Sequence, residues 1–131
     1  MNRQRNRLIA AGFAGALALV AGTGIAEAKD GDIRANGTCT AGSTSKIKLA
    51  PRPSDGVTKV EFEVDQNVVG ATWQVSIADN GVVVVNRSAT TVAPSGSFEV
   101  RTRRPGAAGH AIVATATNSA TGETCSASAS V

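Results

Sequence analysis

The stretch Lys59-Val60-Glu61-Phe62-Glu63-Val64-Asp65 places three carboxylates at alternate positions. Carboxylates set in a cleft with shifted pKa values can act as general acid and base. Here they alternate with Val60, Phe62 and Val64, the period of a strand, which puts the acids on its wet side. Cys39 and Cys125 could bridge or could ligate a metal, but two sulfurs with one distant His110 make a poor ligand set. His110 alone, without a positioned partner, reads as a structural residue rather than a base. Arg101, Arg103 and Arg104 precede Pro105-Gly106 and offer either an anion patch or a basic loop. Serines are plentiful, yet none sits in a G-x-S-x-G elbow. No glycine-rich phosphate loop leads into a helix. The sequence therefore assigns no catalytic residue, no cofactor and no metal.

The chain of 131 residues begins with an address. Arg3, Arg5 and Arg7 precede an apolar run from Leu8 to Gly22, and Ala26-Glu27-Ala28 follows as an A-x-A cleavage pattern. This is the layout of a secretory signal peptide, so we expect residues 1–28 to be removed and 29–131 to form one domain. The product should be extracellular, with no membrane span left after cleavage. Three of the thirteen Lys and Arg and one of the ten acids fall in 1–28, so the net charge drops from +3 to about +1. That balance gives no support for a nucleic-acid footprint. In an oxidising compartment the even pair Cys39 and Cys125 reads as one disulfide, worth roughly 4–5 kcal/mol in the chain-entropy model.

The exported part predicts strands over 44–50, 57–65, 71–79, 82–85, 96–104, 110–117 and 123–131. Asn80-Gly81 is a strong signal for a two-residue hairpin turn, because both positions favour positive φ. Alternation turns Ile47, Leu49, Val60, Phe62, Val64, Trp73, Val75, Ile77, Phe98 and Val100 inward. All three aromatic rings of 29–131 are on that list. No ring is left outside to stack a sugar or a base, which argues against carbohydrate and single-stranded nucleic acid as ligands. Asn36-Gly37-Thr38 and Asn86-Arg87-Ser88 match the glycosylation triplet.

Seven strands with turns every 8–12 residues point to an all-β fold, a two-sheet antiparallel sandwich. The Trp73 strand, the Asn-Gly hairpin and the tail AIVATATNSATGETC resemble an immunoglobulin or fibronectin type III domain. More narrowly, the chain resembles small secreted immunoglobulin-like proteins of actinobacteria without assigned function. Trp73 matches the family's core tryptophan. The chain departs from the pattern in having no tyrosine corner and in linking its first strand region to its last.

The resemblance implies that the first, second and fifth predicted strands share a sheet. Matching opposite charges across it gives two rows, Lys46–Glu63–Arg101 and Lys48–Glu61–Arg103, which would set register. It also implies that Ala78, Val83, Val85, Val113 and Thr115 lie on the outer face of the other sheet, a neutral and partly apolar contact surface. Arg87 would guard an edge strand. The expected function is a secreted, non-enzymatic module that contacts a protein or cell-envelope partner or itself. A second expectation, from another class, is a protease inhibitor presenting Arg103-Arg104-Pro105 or Pro51-Arg52-Pro53 as a projecting loop.

Overall fold

The computed structural model describes residues 26–27 and 31–131. The expected signal peptide lies outside the described residues except for Ala26–Glu27. Those two residues form a short strand, β1. It is followed by β2 (Ile33–Asn36), β3 (Thr38–Cys39), β4 (Thr44–Arg52), β5 (Val57–Asp65), β6 (Thr72–Asp79), β7 (Val82–Thr90), β8 (Ser97–Pro105), β9 (Ala111–Asn118) and β10 (Thr124–Ser130). Each of the seven expected strands has its counterpart among the strands of seven or more residues, although the one expected over 82–85 runs on to Thr90. The three short ones near the N-terminus were not anticipated, so the strand count is a correction to the sequence reading.

Two five-stranded antiparallel sheets result. One has the order β1-β2-β4-β5-β8 and the other β3-β10-β9-β6-β7. This is an all-β sandwich consistent with an immunoglobulin-like fold. Its two inner faces are complementary in size. The first sheet contributes Ile47, Leu49, Val60, Phe62, Val64, Phe98 and Val100, and the second contributes Trp73 and Ile77 among the small Ala114, Ala116 and Ala127. Trp73 is fully buried, with its ring 6.1 Å from that of Phe98. Its indole N–H donates to Gln66 Oε1 at 3.0 Å, so the one polar atom of the ring is satisfied.

The N-terminal segment serves both sheets. β2 pairs with β4, and after one residue β3 pairs with β10. Gly37 makes that switch, and its N–H donates to Ser45 O at 2.8 Å. A Cβ there would lie 2.8 Å or less from Ser126 O, Ser45 Oγ and Ala127 Cβ, so only glycine lets the segment pass so close to β10. Cys39 then stands directly opposite Cys125, and the two are joined by a disulfide with Cα atoms 4.0 Å apart.

The β6–β7 turn is the expected one, with Asn80 and Gly81 at φ of 51° and 84°. The strand after it is not regular. Val83 pairs with Ala78 and Val85 with Ile77, leaving Val84 as a bulge residue. The bulge reverses the alternation that the run of four valines implied.

The β5–β8 register is a second correction. Lys46 faces Glu63 and Lys48 faces Glu61, as expected. On the other side of β5, however, Glu61 faces Arg101, Glu63 faces Glu99 and Lys59 faces Arg103. The expected rows would have set Phe62 against Thr102 and Val60 against Arg104. The observed register sets Phe62 against Val100 and Val64 against Phe98. Burying a side chain of this size is worth about 1.5–3 kcal/mol, whereas an exposed ion pair contributes about 0–1 kcal/mol. The core therefore chooses the register and the charges follow.

Candidate functional site

Three groups of polar side chains carry whatever chemistry the described residues offer. The first lies at the end of the sandwich that holds the β6–β7 turn. Alternation carries Asp79 inward after Trp73, Val75 and Ile77, and carries Arg104 inward after Phe98, Val100 and Thr102. His110 opens the inward row of β9. The two sheets bring them together. Arg104 Nε donates to Asp79 Oδ2 at 2.9 Å, and His110 Nδ1 lies 2.8 Å from the same oxygen. His110 Nε2 lies 2.9 Å from Gly106 O, which also accepts from Thr58 Oγ1 at 2.8 Å.

Asp79 and His110 are both buried. Burial raises the Asp79 pKa, but the hydrogen bonds from Arg104 and His110 outweigh it and hold the carboxyl below its ordinary value. The His110 ring has an oxygen within hydrogen-bond distance of each nitrogen, Asp79 Oδ2 at one and Gly106 O at the other, so both ring atoms are occupied by structural partners. The group therefore works as a clamp between sheets. Sequence reasoning left His110 without a partner; the partner is Asp79, the last residue of the strand expected over 71–79.

The second group is the outer face of β2, β4, β5 and β8. Asp32 is buried beside Arg52 Nη1 at 2.8 Å and Lys48 Nζ at 3.9 Å. The hydrogen bond from Arg52 lowers its pKa against the opposing effect of burial, and Arg52, Lys48 and Arg34 add charge in the same direction. Glu61 lies 3.7 Å from Lys48 and 4.0 Å from Arg101, and Glu63 lies 3.4 Å from Lys46. Glu99 is held by Arg101 at 2.7 Å. Its pKa is nevertheless raised, by burial first and then by the neighbouring Glu61. Here Glu61 and Glu63 are rungs of a charged ladder.

These shifts set a sign for acid stability. Asp32 and Asp79 lie below their ordinary value of 3.8 in the fold, so the stability they confer is present above pH 3.8 and is lost as pH falls through their lowered values. Glu99 lies above its ordinary 4.5, so its ionisation opposes folding and protonation relieves that. Denaturant unfolding across pH should show a shallow gain as pH falls toward 4.5 and a steep loss below 3.8. Glu99→Gln should flatten the first limb and Asp32→Asn should soften the second. An unchanged profile in both variants would contradict the assignment.

The third group surrounds the disulfide. Glu123 is buried and accepts from Ala41 N at 3.1 Å and Ser43 N at 3.0 Å through Oε2, and from Ser43 Oγ at 2.7 Å through Oε1. It fastens the 40–43 turn beside the bridge. Cys39, Glu123 and Cys125 bring ligand-type atoms within 4.8 Å of one another. In this state the two sulfurs are spent on each other.

The residues expected on a contact face divide. Val113 faces Ala78, Ala78 faces Val83, and Thr115 faces Ser76, all on the outside of the second sheet. Val83 and Val113 are 57% and 46% exposed. Val85 does not join them: the bulge turns it inward against the core. Arg103, Arg104 and Pro105 are not a loop. They are the end of β8, paired with Lys59, Thr58 and Val57, and Arg104 is held by Asp79. Pro51 and Arg52 likewise belong to β4, and only Pro53 enters the short turn to β5. No connection between the long strands exceeds six residues. No family model, no curated protein and no solved structure matches this chain.

Proposed function

We propose that the protein is a secreted, non-enzymatic binding module that meets a protein partner, or a second copy of itself, through the outer face of β6, β7, β9 and β10. The observation that carries this reading is the chemistry of that face. Its rows run Ser128–Val113–Ala78–Val83, Ser126–Thr115–Ser76–Asn86 and Thr124–Thr117–Gln74–Ser88. No charged side chain occurs in them, while the outer face of the other sheet is charged in most rows. Exposed valine on an uncharged sheet face gives up little hydration when covered, so contact there carries a low desolvation cost. Short turns favour contact through a sheet face over insertion of a loop into an enzyme cleft.

Release outside the cell agrees with the disulfide, and no helix among the described residues is long and apolar enough to cross a membrane. The narrower likeness to small secreted immunoglobulin-like proteins of actinobacteria belongs to the same proposal.

The test is a paired substitution, Val83→Lys with Val113→Lys. Both positions are exposed, so stability should stay within about 0.5 kcal/mol. Cross-linking in the native culture, followed by gel and mass analysis, should show an adduct or dimer with the unsubstituted chain and none with the pair. An adduct that survives both substitutions would remove this face from the account.

A further inference from the structure

The β5–β8 register has an electrostatic consequence. Lys59 stands directly opposite Arg103, and on the neighbouring pair of strands Arg34 stands opposite Lys48. Like charges set opposite across a sheet are destabilising. Lys48 is relieved by Glu61 and Asp32. Among the described residues no carboxylate lies within ion-pair distance of Lys59 or Arg103, although both are on the outer face. The acids that could have served them, Glu63 and Glu99, lie two rows away and face each other. The face is thus divided along its length. Arg34, Lys48, Arg52, Lys59, Arg101 and Arg103 lie toward one half, against Asp32, Glu61 and the Glu99 that pairs with Arg101. The balance of about +1 for 29–131 hides this concentration.

A shallow depression runs between the two unpaired cations, floored by Val60 and Thr102 and lined by Lys59, Arg101 and Arg103, with Glu61 at its side. Arg101 is largely exposed, with its guanidinium 2.7 Å from Glu99 and 4.0 Å from Glu61, and reaches a ligand in the depression by exchanging those carboxylates for it. Alternate residues on one strand face lie about 6.7 Å apart. Arg101 and Arg103 can therefore each reach a separate anionic group along one line, with Lys59 flanking the second. A phosphate offers oxygens enough to take an arginine fork and a lysine together. Among the described residues no aromatic ring is exposed on this face to stack a nucleobase, because Phe62 and Phe98 point into the core.

We propose that this half of the β4–β5–β8 face binds a linear phosphate-bearing polyanion that lacks bases, with Lys59 and Arg103 as its principal contacts and Arg101 as a third. The contact is independent of the uncharged face on the opposite sheet. One module would then engage an anionic polymer on one side and a protein on the other.

Titration calorimetry of the purified chain with linear polyphosphate tests this, run at low salt and again over a salt series. Binding should weaken linearly on a log–log scale, with a slope of about −2 to −3 for three contacts. Lys59→Glu and Arg103→Glu should each weaken binding about thirtyfold. Each places an acid opposite a cation, so thermal stability should hold or rise. That separates loss of the site from loss of the fold. Arg87→Glu, an equal charge change on β7, should leave affinity unchanged. The proposal is overturned by no binding at low salt, by equal weakening in Arg87→Glu, or by polyglutamate binding as tightly as polyphosphate.

Discussion

Replacing Cys39 and Cys125 together with alanine is expected to remove about 4 kcal/mol of stability and to lower the melting temperature by roughly 15–30 °C. The bridge spans a sequence separation of 86, close to the whole domain, so it restricts the unfolded chain heavily. It also has a local duty. β3 has two residues and pairs with β10 only at Thr38–Ser126 and Cys39–Cys125. Without the covalent link, that strand keeps only its two backbone pairings with β10, the bond from Thr40 N to Thr124 O and the contacts of Glu123. Fraying should therefore begin at residues 38–43, and amide exchange should accelerate there before the core. Measured by denaturant unfolding, a loss below about 1 kcal/mol would show that the sandwich stands without the bridge.

The second large effect is expected at Asp79. Asp79→Ala leaves the guanidinium of Arg104 and the ring of His110 facing each other at the end of the core without their shared carboxylate. Breaking a buried ion pair from one side costs about 3–5 kcal/mol. Asp79→Asn keeps an acceptor oxygen and should cost less. Combining Asp79→Ala with Arg104→Ala should cost less than the sum of the two single changes, because the double variant no longer strands the guanidinium. Additivity in that cycle would mean that the pair carries no energy. His110→Gln should retain part of the link to Gly106 O and separate the ring's role from that of the arginine.

Much of this architecture was legible in the residues, and the failures have physical causes. Trp73, Val75 and Ile77 announce an inward row because β6 lies mid-sheet, where period two is unbroken. Asn80-Gly81 announces its turn because few other residues accept the backbone it needs. The same alternation, extended by one step, would have found the clamp. Asp79, Arg104 and His110 each fall on an inward position, and three such residues at strand ends on one side of a sandwich must meet or be left unsatisfied. Polar residues beside a turn carry no mark in the sequence of whether they face water or the end of the core.

Other features were hidden for different reasons. The run Val82-Val83-Val84-Val85 has no alternation, so nothing in it marks the bulge that turns Val85 inward. Ile33–Asn36 is too short to show a period, and the passage of Gly37 beside Ser126 and Ala127 is a tertiary fact. The charge ladder failed at β8 because opposite-charge matching weighs less than the fit of Phe62 against Val100. Lys59 and Arg103 face each other as a by-product of that fit. Segregated charge on this face therefore cannot be counted from composition.

The register of β5 against β8 underlies the corrected ladder, the clamp through Arg104 and the cationic half-face alike. Cross-strand nuclear Overhauser contacts in the purified protein test it directly. The account requires contacts linking Phe62 with Val100 and Lys59 with Arg103. Contacts linking Phe62 with Thr102 and Glu63 with Arg101 would mean that charge pairing sets the register, and would contradict the account.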